Sequence, residues 1–374
     1  MKITDIEIIK TAKPIPLAGE YYEAWFQPDG PPKTSYGVSY YKISTDEGIT
    51  GVGPAGALDD YVKRCLIGSD PFRIEGFWHS AMRGLDVFFR NSYGGIDIAL
   101  WDIVGKAAGL PVYKLLGANS DKIKVYAALS RLCSPEEHVE QAGHIISQGF
   151  KAVKLRFHRP DYKDDIKTVE AVRRAYDNKI DIVVDANQNH RSTQYKHWTH
   201  QIARYVCAAL QELGVYFLEE PLNRYDYDGL AALSDEFDIY IAGGEHCQHI
   251  YEFKQHFRQA TYDIIQPDVV LGDVGITGIR KLGHAAEFYD KMIIPHVCSL
   301  GAFPLSFSAS AAASLGLSNC PMLEFPYDPP FLTYETQQFY SNHIFKVDSD
   351  GYVSMPPGPG LGIELNAEAL NYYM

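Results

Sequence analysis

From about residue 122 onward, the chain alternates between short apolar runs and longer stretches whose apolar residues recur at helical spacing. Most of the runs are separated by such a helical stretch, and one stretch opens with the capping-box pair Ser134 and Glu137. Eight strands alternating with helices predict an α/β fold, a (β/α)8 TIM barrel. An open doubly wound sheet is the alternative, but no glycine-rich phosphate loop follows any strand. The eight predicted strands are IKVYAAL, FKAVKLRF, IDIVVDAN, VYFLEEP, IYIAGGEH, YDIIQPDV, MIIPHV and MLEF.

The chain outside this repeat has a different pattern. Residues 1–118 combine a predicted antiparallel hairpin or meander with helices, which indicates an α+β domain. Residues 14–32, rich in proline, glycine and aromatic residues, are predicted to form a long lid loop. The barrel is assigned to residues 119–330. Residues 331–374 form a turn-rich segment that is expected to return to the N-terminal domain.

Composition narrows the range of partners. A formal net charge of −13 disfavours nucleic acid and anionic membranes. No apolar run approaches the roughly 18 residues of a membrane span. The six cysteines form no CxxC pair, so we expect neither a zinc finger nor a disulfide scaffold, but a cytoplasmic protein with reduced thiols.

Charged residues lie at the ends of successive predicted strands, where a barrel carries its chemistry. Asp185, Glu219 and Glu245 end three adjacent strands at intervals of about one strand-helix unit. Three carboxylates close together repel one another strongly unless a cation neutralises them. Because the set contains only oxygen ligands, it favours a hard cation such as Mg²⁺ over zinc.

Two further pairs accompany the carboxylates. Asp268 and His296 end the sixth and seventh strands, and a carboxylate bound to one imidazole nitrogen makes the other a better base. Lys154 and Arg156 lie two residues apart on the second strand and therefore point to one face, which we expect to lie opposite His296. Arginine keeps its proton, so Arg156 is suited to bind a carboxylate or stabilise negative charge.

Taken together, these residues resemble the enolase superfamily, mandelate racemase subgroup. The resemblance covers nearly the whole chain, and the order and spacing of its motifs are specific. The motifs are GGIDIALWDIVGKAAGLPVYKLLG before the barrel, GFKAVKLR, VVDANQ, FLEEP, GGEH, QPD, PH and LE at strand ends, and DGYVSMPPGPGLGIEL in the tail.

The resemblance implies an N-terminal capping domain over the barrel, completed by the C-terminal tail. It also implies one Mg²⁺ per subunit, held by Asp185, Glu219 and Glu245, and abstraction of the proton α to a substrate carboxylate. Glu324, if protonated, would donate a hydrogen bond to the resulting enediolate. Racemases of the family carry a second lysine where this chain has Arg156, so a second base is lacking and racemisation is disfavoured.

The sequence therefore predicts a lyase: a dehydratase that removes water from a sugar acid, an aldonate or aldarate, and yields a 2-keto-3-deoxy acid. His296 is predicted to be the base; Lys154 is the less favoured assignment. A racemase, epimerase or cycloisomerase using the same intermediate is one alternative, and a catalytically reduced binding protein is another. The resemblance further implies a dimer-based homo-oligomer, often an octamer.

Specificity is assigned to the lid and to the loop GPAGALDD, residues 53–60. His246, beside a predicted metal ligand, is expected either to contact a substrate hydroxyl or to support that ligand. Aromatic side chains of the lid suit a ligand that is partly apolar and partly hydroxylated. The sequence does not name the sugar or its stereochemistry. The predicted substrate-binding residues are Tyr21, Tyr22, Trp25, Asn187 and His246.

Overall fold

A computed structural model describes residues 1–11, 13–26, 30–84, 93–189 and 197–366. The part before the barrel contains a three-stranded antiparallel sheet in the order β1-β4-β5 and a separate pair, β2 with β3. The predicted hairpin is confirmed, with its turn at Gly48, where φ is +78°. The five strands are β1 (Ile3–Lys10), β2 (Ile15–Tyr21), β3 (Lys33–Tyr36), β4 (Ser39–Thr45) and β5 (Thr50–Pro54).

All eight predicted barrel strands are present. The first seven, β6 to β12, pair in parallel in chain order, and the eighth, β13, pairs in parallel with the first, β6, so the sheet curls into the (β/α)8 barrel; no ladder joins β12 to β13 among the described residues. A final strand, β14, adds antiparallel to β6. The strands are β6 (Lys122–Ala128), β7 (Ala152–Arg156), β8 (Asp181–Asp185), β9 (Phe217–Glu219), β10 (Tyr240–Gly243), β11 (Ile264–Ile265), β12 (Met292–Ile293), β13 (Leu323–Pro326) and β14 (Tyr352–Ser354).

Helices cover the N-terminal sheet and alternate with most of the barrel strands. The predicted capping box at Ser134 and Glu137 is observed at the start of α5. None of the described helices is long and apolar enough to cross a membrane. The helices are α1 (Asp60–Leu66), α2 (Ile74–Gly84), α3 (Tyr93–Ala108), α4 (Val112–Leu115), α5 (Pro135–Ser147), α6 (Tyr162–Tyr176), α7 (His200–Glu212), α8 (Tyr227–Glu236), α9 (Phe253–Gln259), α10 (Gly275–Phe288), α11 (Phe303–Ser314) and α12 (Tyr334–Gln337).

The prediction of a single long loop over residues 14–32 is wrong for its first half, which forms strand β2. Ile15, Leu17 and Tyr21 are buried on one face, an alternation that the breakers Pro14, Pro16 and Gly19 conceal in the sequence. Proline is tolerated in β2 because, among the described residues, the strand pairs with β3 alone and its other edge carries no ladder. A short 3₁₀ turn, Ala24–Phe26, follows, and residues 27–29 lie outside the described part.

The C-terminal segment contacts both parts of the chain. Strand β14 extends the barrel sheet beside β6. The backbone N–H of Leu361 donates to Oδ1 of the buried Asp102 in α3, and Gly360 forms a bridge with Pro111. These contacts join the segment to the N-terminal region as well as to the barrel.

Two buried histidines make the fold sensitive to acid. Burial lowers the pKa of His138 and of His256 to about 4, whereas an unfolded histidine titrates near pH 6.5. Their contribution to stability is therefore complete above about pH 6.5 and is lost as the pH falls toward about 4, by up to roughly 3 kcal/mol each. NMR titration of the folded protein should show both imidazoles neutral at pH 6. A midpoint near 6.5 for either one would contradict this expectation.

Candidate active site

On four of the barrel strands, the inward-facing side chains change from apolar to charged within one two-residue step. Because side chains alternate across a strand, residues two apart share a face. Val183 is followed on the inner face by Asp185, and Phe217 by Glu219. Asp185 and Glu219 are direct register partners on β8 and β9. The same step leads from Ala152 to Lys154 and from Met322 to Glu324.

The three carboxylates predicted to bind metal, here called the carboxylate trio (Asp185, Glu219, Glu245), are all buried. Burial raises the pKa of the Glu219 carboxyl well above its ordinary value, and the charges of Asp185 and Glu245 raise it further. Burial also raises the pKa of Asp185, against the effect of Arg156 and Lys154. Oε1 of Glu219 is buried and has no hydrogen-bond partner among the described residues. A cation bound by the trio would satisfy this oxygen and remove the repulsion.

Lys154 lies beneath the trio and is completely buried. Its Nζ is 3.0 Å from Oε2 of Glu219 and 2.6 Å from Oε1 of Glu324. Burial alone would lower the pKa of Lys154, but the charges of Glu219 and Glu324 outweigh that effect and raise the pKa. Lys154 is thus held as an ammonium ion by the carboxylates of the chain.

Arg156 occupies the next inward position and makes three polar contacts within the described part of the chain. Its guanidinium pairs with Asp185 and donates to Oδ1 of Asn187 at 3.3 Å, while Nε donates to the Leu129 carbonyl at 2.9 Å. The Trp25 ring covers it, with 4.9 Å between the guanidinium carbon and the ring centroid. The structure therefore shows Lys154 and Arg156 bound to the carboxylates of the site; their predicted contact with a substrate carboxylate stays a prediction.

Asp268 and His296 are brought together as predicted. Asp268 Oδ2 lies 2.6 Å from His296 Nδ1, and Oδ1 accepts two backbone N–H groups, those of Val270 and Leu271, at 2.6 Å each. The carboxylate is therefore held in one orientation. His296 Nε2 faces the trio, at 3.4 Å from Oε2 of Glu245. Burial alone would lower the pKa of His296, but the neighbouring carboxylates, first Glu245, raise it to about 10.

The five predicted substrate-binding residues fall into different environments. Tyr21 is only 1% exposed and stacks on Phe331, because the alternation of β2 points it inward; its contact with a substrate stays a prediction. Tyr22 is 40% exposed and donates to Glu20. Trp25 covers Arg156. His246 Nδ1 is 3.1 Å from Oε1 of Glu245.

Asn187 is part of the network that positions Arg156. It has a left-handed backbone conformation, with φ of +43°, and its N–H donates to Oδ1 of Asp185 at 2.8 Å. Its own Oδ1 lies 2.7 Å from Nε2 of His158. The polar chain Asp185–Arg156–Asn187–His158 leads from the trio to a cavity of about 610 Å³. The cavity is lined by Glu20, Tyr22, Arg131, Leu132, Cys133, Glu137, His158, Arg159, Pro160 and Phe331.

Sequence reasoning missed two residues at the barrel mouth. His158 lies two positions after Arg156, so the same alternation could have placed it on the inner face. Cys298 lies two positions after His296, and its Sγ donates to Oδ2 of Asp268 at 3.4 Å. The scattered cysteines gave no reason to single it out.

A capped barrel with clustered carboxylates and a His-Asp pair at the strand ends has the architecture of an enzyme site. Two family profiles match the chain: "Enolase C-terminal domain-like" over residues 137–369, and "Mandelate racemase / muconate lactonizing enzyme, N-terminal domain" over residues 34–117. The chain therefore belongs to the enolase superfamily, in its mandelate racemase subgroup.

Relatives with different named reactions resemble the chain to a similar degree. D-galactonate dehydratase of Variovorax paradoxus is 30% identical over 362 residues, 88% of this chain and 89% of the relative. A 3,6-anhydro-alpha-L-galactonate cycloisomerase of Streptomyces coelicolor is 29% identical over 351 residues, again 88% and 89%. The crystal structure of L-talarate dehydratase from a Polaromonas species, complexed with Mg and L-glucarate, superimposes with a TM-score of 0.83 at 26% identity, covering 100% of this chain and 97% of that one.

Proposed function

We propose that the protein is a Mg²⁺-dependent dehydratase that converts an acid sugar, an aldonate or aldarate, into a 2-keto-3-deoxy acid. The proposal rests on one observation: the Asp268–His296 pair faces the carboxylate trio, with His296 Nε2 3.4 Å from Glu245. This arrangement sets a proton acceptor beside the place where a cation would bind.

The donors of the trio fit Mg²⁺. All are carboxylate oxygens, the ligands that this hard cation prefers, and Oε1 of Glu219 is buried without a hydrogen bond among the described residues. Asp185, Glu219 and Glu245 would hold the ion. When bound, Mg²⁺ supplies positive charge that stabilises the negative charge appearing on the substrate carboxylate as the α-proton leaves.

The other groups of the site perform the proton transfers. Asp268 accepts a hydrogen bond from Nδ1–H of His296 and so favours that tautomer. A cation on the trio would offset the negative charge of Glu245 that raises the pKa of His296, so Nε2 would have the lone pair that takes the α-proton. The electron pair of the broken C–H bond forms the enediolate and then the C2=C3 double bond, as the C3–O bond breaks. The departing hydroxide receives a proton from the imidazolium and leaves as water, which restores His296. The enol product becomes the 2-keto acid.

Arg156 favours dehydration over racemisation. Racemisation requires a proton acceptor on each face of the substrate, whereas elimination of water can be completed by His296 alone. Arginine stays protonated at any physiological pH, and the contacts of Arg156 with Asp185, Asn187 and Leu129 suit a positioning role.

A substrate screen tests the proposal. The purified protein is incubated with a panel of aldonates and aldarates in D₂O, with Mg²⁺ or with a chelator, and 2-keto acid is assayed together with deuterium at the α-carbon. We expect metal-dependent 2-keto-acid formation from at least one member. Deuterium incorporation without loss of water would instead show a racemase, epimerase or cycloisomerase. Metal binding with neither reaction would favour a binding protein.

Trp25 is expected to position Arg156. A cation–π contact contributes about 0.5–2 kcal/mol, so Trp25→Ala should reduce kcat/KM by roughly twofold to thirtyfold. The matched control is Phe26→Ala, because Phe26 is half exposed and lies near Lys33. Steady-state kinetics of both variants on the substrate found in the screen check this. Equal effects of the two substitutions would contradict the assigned role.

A further inference from the structure

The His-Asp pair and a neighbouring cysteine form a second group of possible metal ligands. Asp268, His296 and Cys298, here called the soft-donor cluster, each offer one ligand atom, and the three atoms lie within 4.8 Å of one another. Nδ1 of His296 and Sγ of Cys298 both contact the same carboxylate oxygen, Asp268 Oδ2, at 2.6 and 3.4 Å. His296 and Cys298 are partly exposed, so the cluster lies at the mouth of the barrel and not in its core.

We propose that the soft-donor cluster is an inhibitory site for Zn²⁺ and chemically similar thiophilic ions, separate from the magnesium site. Its nitrogen, sulfur and oxygen donors are the set that zinc prefers, and three protein ligands leave one position for water. Mg²⁺ has little affinity for thiolate or imidazole, so the two metals are sorted by donor type.

Binding there would disable the base through its tautomer. When His296 is neutral, as its role as the base requires, Nδ1 carries the one proton and donates it in a hydrogen bond to Asp268, which leaves a lone pair on Nε2. A metal that binds Nδ1 displaces the proton from that nitrogen. The single proton of neutral His296 must then move to Nε2, where it occupies the lone pair. Cys298 loses its thiol proton to solvent on coordination. The net change is one Zn²⁺ bound and one proton released, and His296 can no longer accept the α-proton.

The other acidic group near the mouth does not compete for this role. Glu220, Glu245 and His246 also offer ligand atoms within 4.8 Å of one another. That group lacks sulfur and shares Glu245 with the carboxylate trio, so an ion bound there would be displaced by excess Mg²⁺. Zinc bound to the soft-donor cluster would not be displaced by Mg²⁺.

Cobalt spectroscopy tests the site without reference to catalysis. Co²⁺ is added to the full chain in excess Mg²⁺, and the sulfur-to-cobalt charge-transfer band is recorded in the near ultraviolet. We expect the band in the native protein, its loss in Cys298→Ser and its retention in Cys65→Ser, whose thiol is exposed and distant in sequence. Persistence of the band in Cys298→Ser, or its absence from the native protein, would overturn the proposal.

Inhibition provides the functional readout and depends on the proposed role of His296. With the substrate found in the screen and saturating Mg²⁺, the Zn²⁺ concentration for half inhibition should rise at least about tenfold in Cys298→Ser, because a ligand has been removed. Relief of inhibition by added Mg²⁺ would place zinc at the trio instead. If no substrate is found, the cobalt band still decides whether the site exists.

Labelling of the native protein guards against a variant that fails to fold. Alkylation of Cys298 is followed by mass spectrometry with and without Zn²⁺, in excess Mg²⁺, with Cys65 as the internal reference. We expect Zn²⁺ to slow alkylation of Cys298 selectively. Equal rates at Cys298 with and without Zn²⁺ would reject the site.

Discussion

Replacing His296 with asparagine is expected to lower kcat for dehydration by about a thousandfold, since positioned general acid-base groups contribute roughly 10²–10⁴. Asparagine keeps a polar group beside Asp268 but cannot accept and return a proton. Deuterium exchange at the α-carbon should fall together with product formation, because both require removal of the α-proton. Steady-state rates and exchange, measured with saturating Mg²⁺, check the prediction.

The matched control is His284→Asn. His284 lies on α10 with more than half of its side chain exposed, near Glu287. The His284→Asn substitution should leave kcat, deuterium exchange at the α-carbon and the thermal unfolding temperature unchanged. If His296→Asn kept near-native turnover while unfolding normally, His296 would not be the base, and Lys154 would become the candidate.

Replacing Glu219 with glutamine is expected to abolish stabilisation of the fold by Mg²⁺. An ion present at 100 times its dissociation constant stabilises the folded state by about 2.7 kcal/mol. Substitution of a residue that only supports a metal ligand already weakens binding by about 10- to 100-fold. Loss of one of three carboxylate ligands should therefore weaken it by at least as much, so little of that gain would remain at the same concentration. Activity should disappear with it. The free energy of unfolding, measured with and without Mg²⁺ for the native protein and for the variant, gives the stabilisation by Mg²⁺ in each.

Glu236→Gln is the control for this substitution. It removes the same charge from a largely exposed side chain of α8 that pairs with Arg204. Its response to Mg²⁺ should equal that of the native protein. A full Mg²⁺ response in Glu219→Gln would show that the ion binds without Glu219, and the proposed ligand set would be wrong.

The sequence predicted the barrel and the position of its charged mouth because both follow from a two-residue alternation within a longer strand-helix period. Val183 and Asp185, or Phe217 and Glu219, already show which residues share the inner face. The contact between Asp268 and His296 followed from the same logic, since each ends one of two neighbouring strands.

The partners of the basic residues could not be read in this way. The two-residue alternation of side chains along a strand places Lys154 and Arg156 on the inner face, but it does not show which carboxylates they contact. Those contacts, with Glu219, Glu324 and Asp185, depend on how strands distant in sequence are brought together. Strand β2 was missed for a local reason, because its prolines conceal the alternation that buries Tyr21.

The most direct test of the account is a crystal structure of the protein grown with Mn²⁺ in place of Mg²⁺, with the ion located by its anomalous scattering. We predict one ion bonded to carboxylate oxygens of Asp185, Glu219 and Glu245 at about 2.2 Å, close to the distance for Mg²⁺. An ion bound instead by Glu220, Glu245 and His246, or by none of the trio, would contradict the central claim.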